Sequence, residues 1–429
     1  MSHARLTLGS LVVALLVSAV VFLVVSGPDT SWNRSNTALA SGPSGSTLFF
    51  PFVGKNTCAN LTVAPLWRFG IARARRPITD YGCPIGPMRF GWYVDWGSGS
   101  LPITSYGIDY VPMVRVRQLK LLNGSPTSIP CAGCPYVSPY TYTVSLTPSQ
   151  IQSMATSRPG MLWVIGNEIE RRDWGTCAGC GQDEILPQEY AVAYHDVYTT
   201  IKNADPTAQV AIGGVIEATP LRLEYIQDVW DAYDQRYGGG NVNTMPVDVW
   251  NVHAFVLNED STSWGAGIPA GLSETTGMLI SPEQNKDFTI AEGHIIALRN
   301  WMQQHGQRNK PLIITEYGVN IPAQWGCPSL GCPFSPQQVR DSFMYPSFNF
   351  FLNTTDPNIG FPADGNHLVQ RWNWYSLDDD TIDPSNGQQA YNGNLFWSGL
   401  ASNPQGIAPL GTYWQQYVQS LPPGAPKPY

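Results

Sequence analysis

Two short segments constrain this chain more than any others: Trp163-Val164-Ile165-Gly166-Asn167-Glu168 and Pro311-Leu312-Ile313-Ile314-Thr315-Glu316-Tyr317. Each is an apolar run that closes on a glutamate. Such runs show no polar alternation, so they predict strands buried on both faces, as in a parallel sheet covered by helices. A carboxylate at the last position of such a strand lies at the carboxyl end of the sheet, where α/β barrels keep their chemistry. A single strand-end glutamate is ordinarily the first solvated residue after a buried run. Two of them, 148 residues apart, one preceded by Asn167 and the other followed by Tyr317, can face each other across one sugar ring, the arrangement that glycoside hydrolysis needs.

The rest of the chain fits that frame. Strands are expected over 88–94 and 110–116, the second weakened by Pro112, at 209–214 and 247–253, and over 371–376; a further one is sought within 136–145. Helical spacing marks 187–203, 221–237 and 291–305. Regular strand–helix alternation implies parallel strands with right-handed crossovers. The count points to an eight-stranded (β/α)8 TIM barrel in one domain, residues 48–429. The aperiodic stretch 256–287 follows a strand at the catalytic end, where it would wall a cleft.

Before that domain, Leu6 to Val25 is uncharged and almost wholly apolar, preceded by Arg5, and long enough to span a bilayer. Residues 1–27 read as a transmembrane signal anchor or a cleaved signal peptide, and the Ser/Gly/Asn/Thr/Pro-rich residues 28–47 as a flexible linker. Both readings export the domain. Eight cysteines agree with an oxidising compartment, where disulfides are the default. Two Cys-Ala-Gly-Cys segments, 131–134 and 177–180, also suggest a four-thiolate zinc site, at a separation longer than zinc ribbons use. Only 13% of residues are charged and the net charge is −8, without basic clusters, so nucleic acid is excluded as a partner. Aromatic residues, 12% of the chain, suit the apolar faces of sugar rings. Asp378-Asp379-Asp380 reads as a solvated turn.

Asn167-Glu168 and Glu316, with His253 and the Trp372/Trp374 segment, resemble the strand ends of the clan A glycoside hydrolases. The resemblance implies a retaining (β/α)8 enzyme in which Glu168, ending the fourth strand, is the general acid/base and Glu316, ending the seventh, the nucleophile. More narrowly, Gly91-Trp92-Tyr93-Val94-Asp95-Trp96-Gly97 and Val111-Pro112-Met113 are similar to strands of a clan A family of endo-β-1,3-glucanases. Two departures stand out. Ile169 replaces that family's proline after Asn-Glu, leaving Glu170-Arg171-Arg172-Asp173 to build the acid/base loop. Phe255 replaces a tyrosine whose hydroxyl meets the nucleophile, a place Tyr317 would have to fill.

The roles that follow are specific. Glu168 is expected protonated and Glu316 ionised at working pH. Asn167 would donate to the sugar 2-hydroxyl, and His253 would bond Glu316 or a substrate hydroxyl. Arg89 and Arg115 are candidates to hold the nucleophile anionic, and Trp92 and Trp374 are the expected sugar platforms. A metal-dependent hydrolase would need clustered His and Asp ligands that the sequence does not announce, and no cofactor is expected. The function implied is an exported retaining β-glycosidase acting on a polysaccharide or oligosaccharide. The competing one is a non-catalytic carbohydrate-binding protein on the same barrel.

Overall fold

The computed structural model describes residues 64–72, 77–81, 83–98, 107–321, 334–379, 393–396 and 406–422. All belong to one compact unit, Gly54–Tyr429. The apolar run at 6–25 and the linker at 28–47 lie outside the described residues, as do three of the eight cysteines, Cys58, Cys327 and Cys332. Among the described residues no helix is long and apolar enough to cross a membrane.

Nine parallel strands carry the framework: β1 Leu66–Ala72, β2 Phe90–Val94, β3 Asp109–Tyr110, β4 Met113–Val114, β5 Leu162–Asn167, β6 Gln209–Gly214, β7 Trp250–His253, β8 Leu312–Tyr317 and β9 Arg371–Tyr375. They form a six-stranded ladder, β7-β8-β9-β1-β2-β3, and a three-stranded one, β6-β5-β4. The regular ladders are therefore two, not the single continuous eight-stranded barrel anticipated. At one seam Pro112, which has no N–H, divides what would be one strand into β3 and β4. There Val111 N still donates to Tyr93 O (3.0 Å) and Val164 N to Pro112 O (3.0 Å). At the other seam a lone parallel bridge joins Ala211 of β6 to Val249, just before β7.

Strand β1 has no counterpart among the sequence expectations. It was hidden because Leu66-Trp67-Arg68-Phe69-Gly70-Ile71-Ala72 carries a central arginine and a glycine. Arg68 is satisfied by Asp364 Oδ1 (2.5 Å) and Gln370 O (3.0 Å). Conversely, no barrel strand lies within 136–145: Tyr142–Val144 pairs antiparallel with Val116–Gln118, in a side hairpin.

Three helices lie where the periodicity predicts, α2 Pro187–Ala204, α3 Pro220–Tyr237 and α4 Phe288–Gln304, and three more were not anticipated, α1 Pro148–Ser157, α5 Tyr345–Asn353 and α6 Pro409–Ser420. α1 opens on a capping box in which Thr147 and Gln150 satisfy each other's backbone N–H. The helix-facing side chains of the strands, such as Trp163, Ile165, Ile314 and Trp372, pack with the helices in one large core. The opposite faces meet in a smaller one of Trp92, Val94, Met113, Val164, Ala211, Val249 and Ile313. Strand alternation thus decides whether a residue meets the helices or the interior and its mouth.

Candidate active site

Glu168 follows β5 with φ at +46°, in the left-handed region that non-glycine residues seldom occupy. Its N–H donates to Gly214 O (2.8 Å). Val164 faces the interior, the strand then ends through positive φ at Gly166 and at Glu168, and the Glu168 carboxylate lies in the mouth, beside His253.

Glu316 reaches the same place by a different device. Ile313 faces the interior, and strict alternation from it would turn Glu316 toward the helices and Tyr317 inward. The registers of β8 with β7 and with β9 both shift just after Ile314. That irregularity adds one residue and reverses the two directions. Glu316 enters the mouth, while Tyr317 packs outward against Phe343, Phe351 and Trp374. Tyr317 therefore does not replace the hydroxyl missing at Phe255.

His253 stands between the two carboxylates, with Nδ1 3.5 Å from Glu168 Oε1 and Nε2 3.7 Å from Glu316 Oε1. Both separations are ionic rather than hydrogen-bonding. One ligand atom from each of Glu168, His253 and Glu316 lies within 4.8 Å of the other two, so the ligand cluster missing from the sequence reading is present in space. A cation there would compete with donors already in place. Arg171 Nη1 lies 2.9 Å from Glu168 Oε2, and Trp96 Nε1 donates to Glu316 Oε1.

The electrostatics reverse the expected order. Burial alone would raise the Glu168 carboxyl, but the charge of Arg171, with His253, overrides it and holds it at about 2. Burial raises Glu316, and repulsion from Glu168 adds to it, against the opposing pull of His253, Trp96 and Arg115. Burial would lower His253, yet the two carboxylates raise it. In the free protein Glu168 is thus the more readily ionised of the two. The cause is the segment that takes the place of the absent proline, since it delivers Arg171.

The mouth opens into a cleft of about 670 Å³ lined by Trp96, Arg115, Glu168, Arg171, Trp174, Gln182, Phe255, Ser263, Trp264, Gly265, Glu316, Asn320 and Tyr375. Residues 263–265 come from the stretch expected to wall it. Arg115 is in place but bound to Asp183 Oδ2 (2.7 Å) and Gln182 Oε1 (3.1 Å); its charge still helps to lower Glu316. Asn167 lies beside Glu168, with Nδ2 donating to Gln182 Oε1 (3.2 Å) and Oδ1 unbonded among the described residues.

Three other expectations fail. Trp92 is wholly buried beneath the mouth, its ring covered by the Arg371 guanidinium at 4.5 Å. Trp374 faces the helices and donates to Gly393 O (2.6 Å). Arg89 lies away from the cleft, giving its donors to Ala64, Val418, Leu421 and Pro422 carbonyls. The rings that do reach the cleft are Trp96, four residues after Trp92 and just past β2, and Tyr375, one residue after Trp374. Counting parity from Trp92 finds Trp96, and Trp264 belongs to the stretch expected to wall the cleft; nothing in the sequence announces Trp174 as a cleft residue. Asp378 is buried, and Asp379 accepts from the Tyr375 hydroxyl, so the acidic triplet is not a merely solvated turn. The two Cys-Ala-Gly-Cys segments each close on themselves as disulfides, Cys131–Cys134 and Cys177–Cys180.

No family model and no curated protein matches the chain. Among solved structures, it is similar to a GH128 (subgroup I) endo-β-1,3-glucanase from Amycolatopsis mediterranei in complex with laminaripentaose, at 13% identity over 81% of this chain and 98% of that one, with a TM-score of 0.43. It is also similar to a glucosidase from Croceicoccus marinus, at 11% identity over 83% and 68% of the two chains, TM-score 0.43. A third is a GH128 (subgroup VII) oligosaccharide-binding protein from Trichoderma gamsii, at 10% identity over 84% and 96%, TM-score 0.39.

Proposed function

We propose that this protein is an exported retaining β-glycosidase whose catalytic domain spans residues 48–429, and that its two parallel ladders are arcs of one (β/α)8 barrel. The observation that carries the reading is the facing pair Glu168 and Glu316, with one oxygen of each and a ring nitrogen of His253 within 4.8 Å, at the foot of an aromatic-walled cleft. That closeness of the nearest oxygens supports the narrow carboxyl pair of double displacement, about 5–5.5 Å apart, over the wider pair of inversion. Glu316 attacks the anomeric carbon and forms a glycosyl ester, while Glu168 gives its proton to the leaving oxygen. Glu168 then takes a proton from the water that cleaves the ester.

Turnover of β-glucans and aryl β-glycosides tests this, with Glu168→Ala and Glu316→Ala beside the wild type. Collapse in both variants, partial rescue by azide and retention of anomeric configuration are expected.

The Arg171–Glu168 ion pair favours a second reading, a carbohydrate-binding protein without turnover, because a general acid held ionised cannot protonate a leaving group. Wild-type protein that binds glycans but releases no new reducing ends would establish it.

A further inference from the structure

The Arg171–Glu168 pair also bears on the kind of sugar the cleft accepts. Resting on the glycosidase reading, catalysis needs a proton on Glu168, and Arg171 opposes that proton as long as the pair stands. A neutral sugar brings no charge with which to draw Arg171 away. A carboxylate or sulfate does, since the planar guanidinium binds either through two parallel N–H bonds.

Arg171 is placed to make that exchange. Its side chain is 17% exposed and Glu168 only 4%, so the arginine is the partner that the cleft reaches. Among the described residues the guanidinium makes one hydrogen bond besides that to Glu168, a long one from Nη2 to Gly265 O at 3.4 Å, which leaves donors to spare. One face of the guanidinium lies 4.5 Å from the ring of Trp174, itself 51% exposed, a support along which the group can turn. Arg115 lines the same cleft as a fixed second positive charge, tied to Asp183.

We propose that the substrate bears an anionic substituent, a uronate carboxylate or a sulfate ester, and that Arg171 is its receptor, leaving Glu168 for that anion. Glu168 takes one proton from solvent as Arg171 turns away, and this is the proton passed to the glycosidic oxygen. Because Glu168 serves the leaving group, the anion belongs to the leaving-group sugar.

The test uses the full chain with three β-linked oligosaccharides of equal length: glucose, glucuronic acid and 6-sulfated glucose. Wild type is expected to show kcat/KM at least about tenfold higher on one of the anionic probes than on the neutral one, and in Arg171→Met that ratio is expected to fall to about one, whatever its absolute rates. The better anionic probe identifies carboxylate or sulfate. Titration of tryptophan fluorescence, in wild type, Arg171→Met and Glu168→Gln, gives the same comparison without turnover. Anion-selective binding that vanishes in Arg171→Met, in a protein that cleaves nothing, would retire the glycosidase reading and keep the receptor. Equal affinity and equal turnover for neutral and anionic probes, or a preference that survives in Arg171→Met, would overturn the proposal. So would trapping of Glu168 rather than Glu316 by a 2-fluoroglycoside, because Glu168 would then need no proton.

Discussion

The indole Nε1 of Trp96 donates to Glu316 Oε1, joining the residue that follows β2 to the glutamate on β8. A buried carboxylate gains from a neutral donor because the donor stabilises its charged form without cancelling that charge. Trp96→Phe keeps the ring and removes the N–H. A hydrogen bond to a charged group contributes about 1.5–3 kcal/mol, so kcat/KM is expected to fall roughly ten- to hundredfold with the fold intact. The acidic limb of the pH profile moves upward, because Glu316 must ionise without its donor. Initial rates across pH, with circular dichroism as the control, check both.

Gly214 makes room for His253. A Cβ on that glycine would stand 2.7 Å from His253 Cδ2 and 3.1 Å from Asn251 Nδ2. Gly214→Ala therefore displaces the imidazole from between the two carboxylates. Overpacking of this kind costs about 1–3 kcal/mol, and activity is expected to fall further than thermal stability does. An unchanged rate would mean that His253 is not needed where it stands.

Glu217 sets a pH dependence of stability. Burial raises its carboxyl from the ordinary 4.5 to about 8, with the nearby carboxylates of Glu259 and Glu170 adding to the rise against the pull of Arg222. A carboxyl raised in the folded state contributes stability that is fully present below about 4.5 and is lost as pH climbs through about 8. Each pKa unit is worth ~1.4 kcal/mol, so a few kcal/mol are involved. Glu217→Gln stays neutral and is expected to flatten that decline. Urea unfolding at about pH 5, 7 and 9 reads it directly. Glu168, held at about 2, has the opposite sign: its stabilisation is present above 4.5 and fades only as pH falls toward 2.

Arg89 binds the carbonyls of Val418 and Leu421 at the C-terminal end of α6. Positive charge there suits the helix C-terminus, where Val418 O otherwise receives a long bond from Leu421 N at 3.4 Å. Arg89→Met is expected to destabilise the domain by about 1–3 kcal/mol while leaving the kcat/KM of folded molecules unchanged. A selective loss of kcat would return Arg89 to the site.

Chelation separates the two uses that Glu168, His253 and Glu316 allow. Under the glycosidase reading, dialysis against EDTA leaves the rate unchanged. A loss restored by one divalent cation would make the cluster a metal centre instead.

Much of this was legible in the sequence, and what was not has particular causes. The apolar runs placed β5, β6, β7, β8 and β9, because burial on both faces leaves a plain signature. β1 was missed because Arg68 interrupts its run, an interruption that only Asp364 and the Gln370 carbonyl, some 300 residues away in sequence, make tolerable. The glutamates were found because strand ends are visible in a sequence. Their neighbours were misassigned where direction mattered: the irregularity after Ile314 exchanges the sides of Glu316 and Tyr317, and a register shift has no residue signature. Arg171 was visible only as a member of an unusual loop. Its ion pair with Glu168 forms across a turn that Glu168 enters at positive φ, a matter of backbone geometry.

The stretch 256–287 is stitched down along its length. Asn285 Nδ2 donates to Val256 O (2.8 Å), Ile280 N to Asn258 Oδ1 (2.9 Å) and Met278 N to Glu259 Oε2 (2.8 Å), and Arg222 reaches the Ala266 carbonyl (3.2 Å). Long loops over active sites often act as lids that close during each catalytic cycle. This one behaves instead as masonry. If the cleft takes a glycan as proposed, this side of the groove is tied down beforehand, so less ordering entropy is lost there on binding. Entry and departure would then rest on the sugar's own flexibility and on the proposed swing of Arg171.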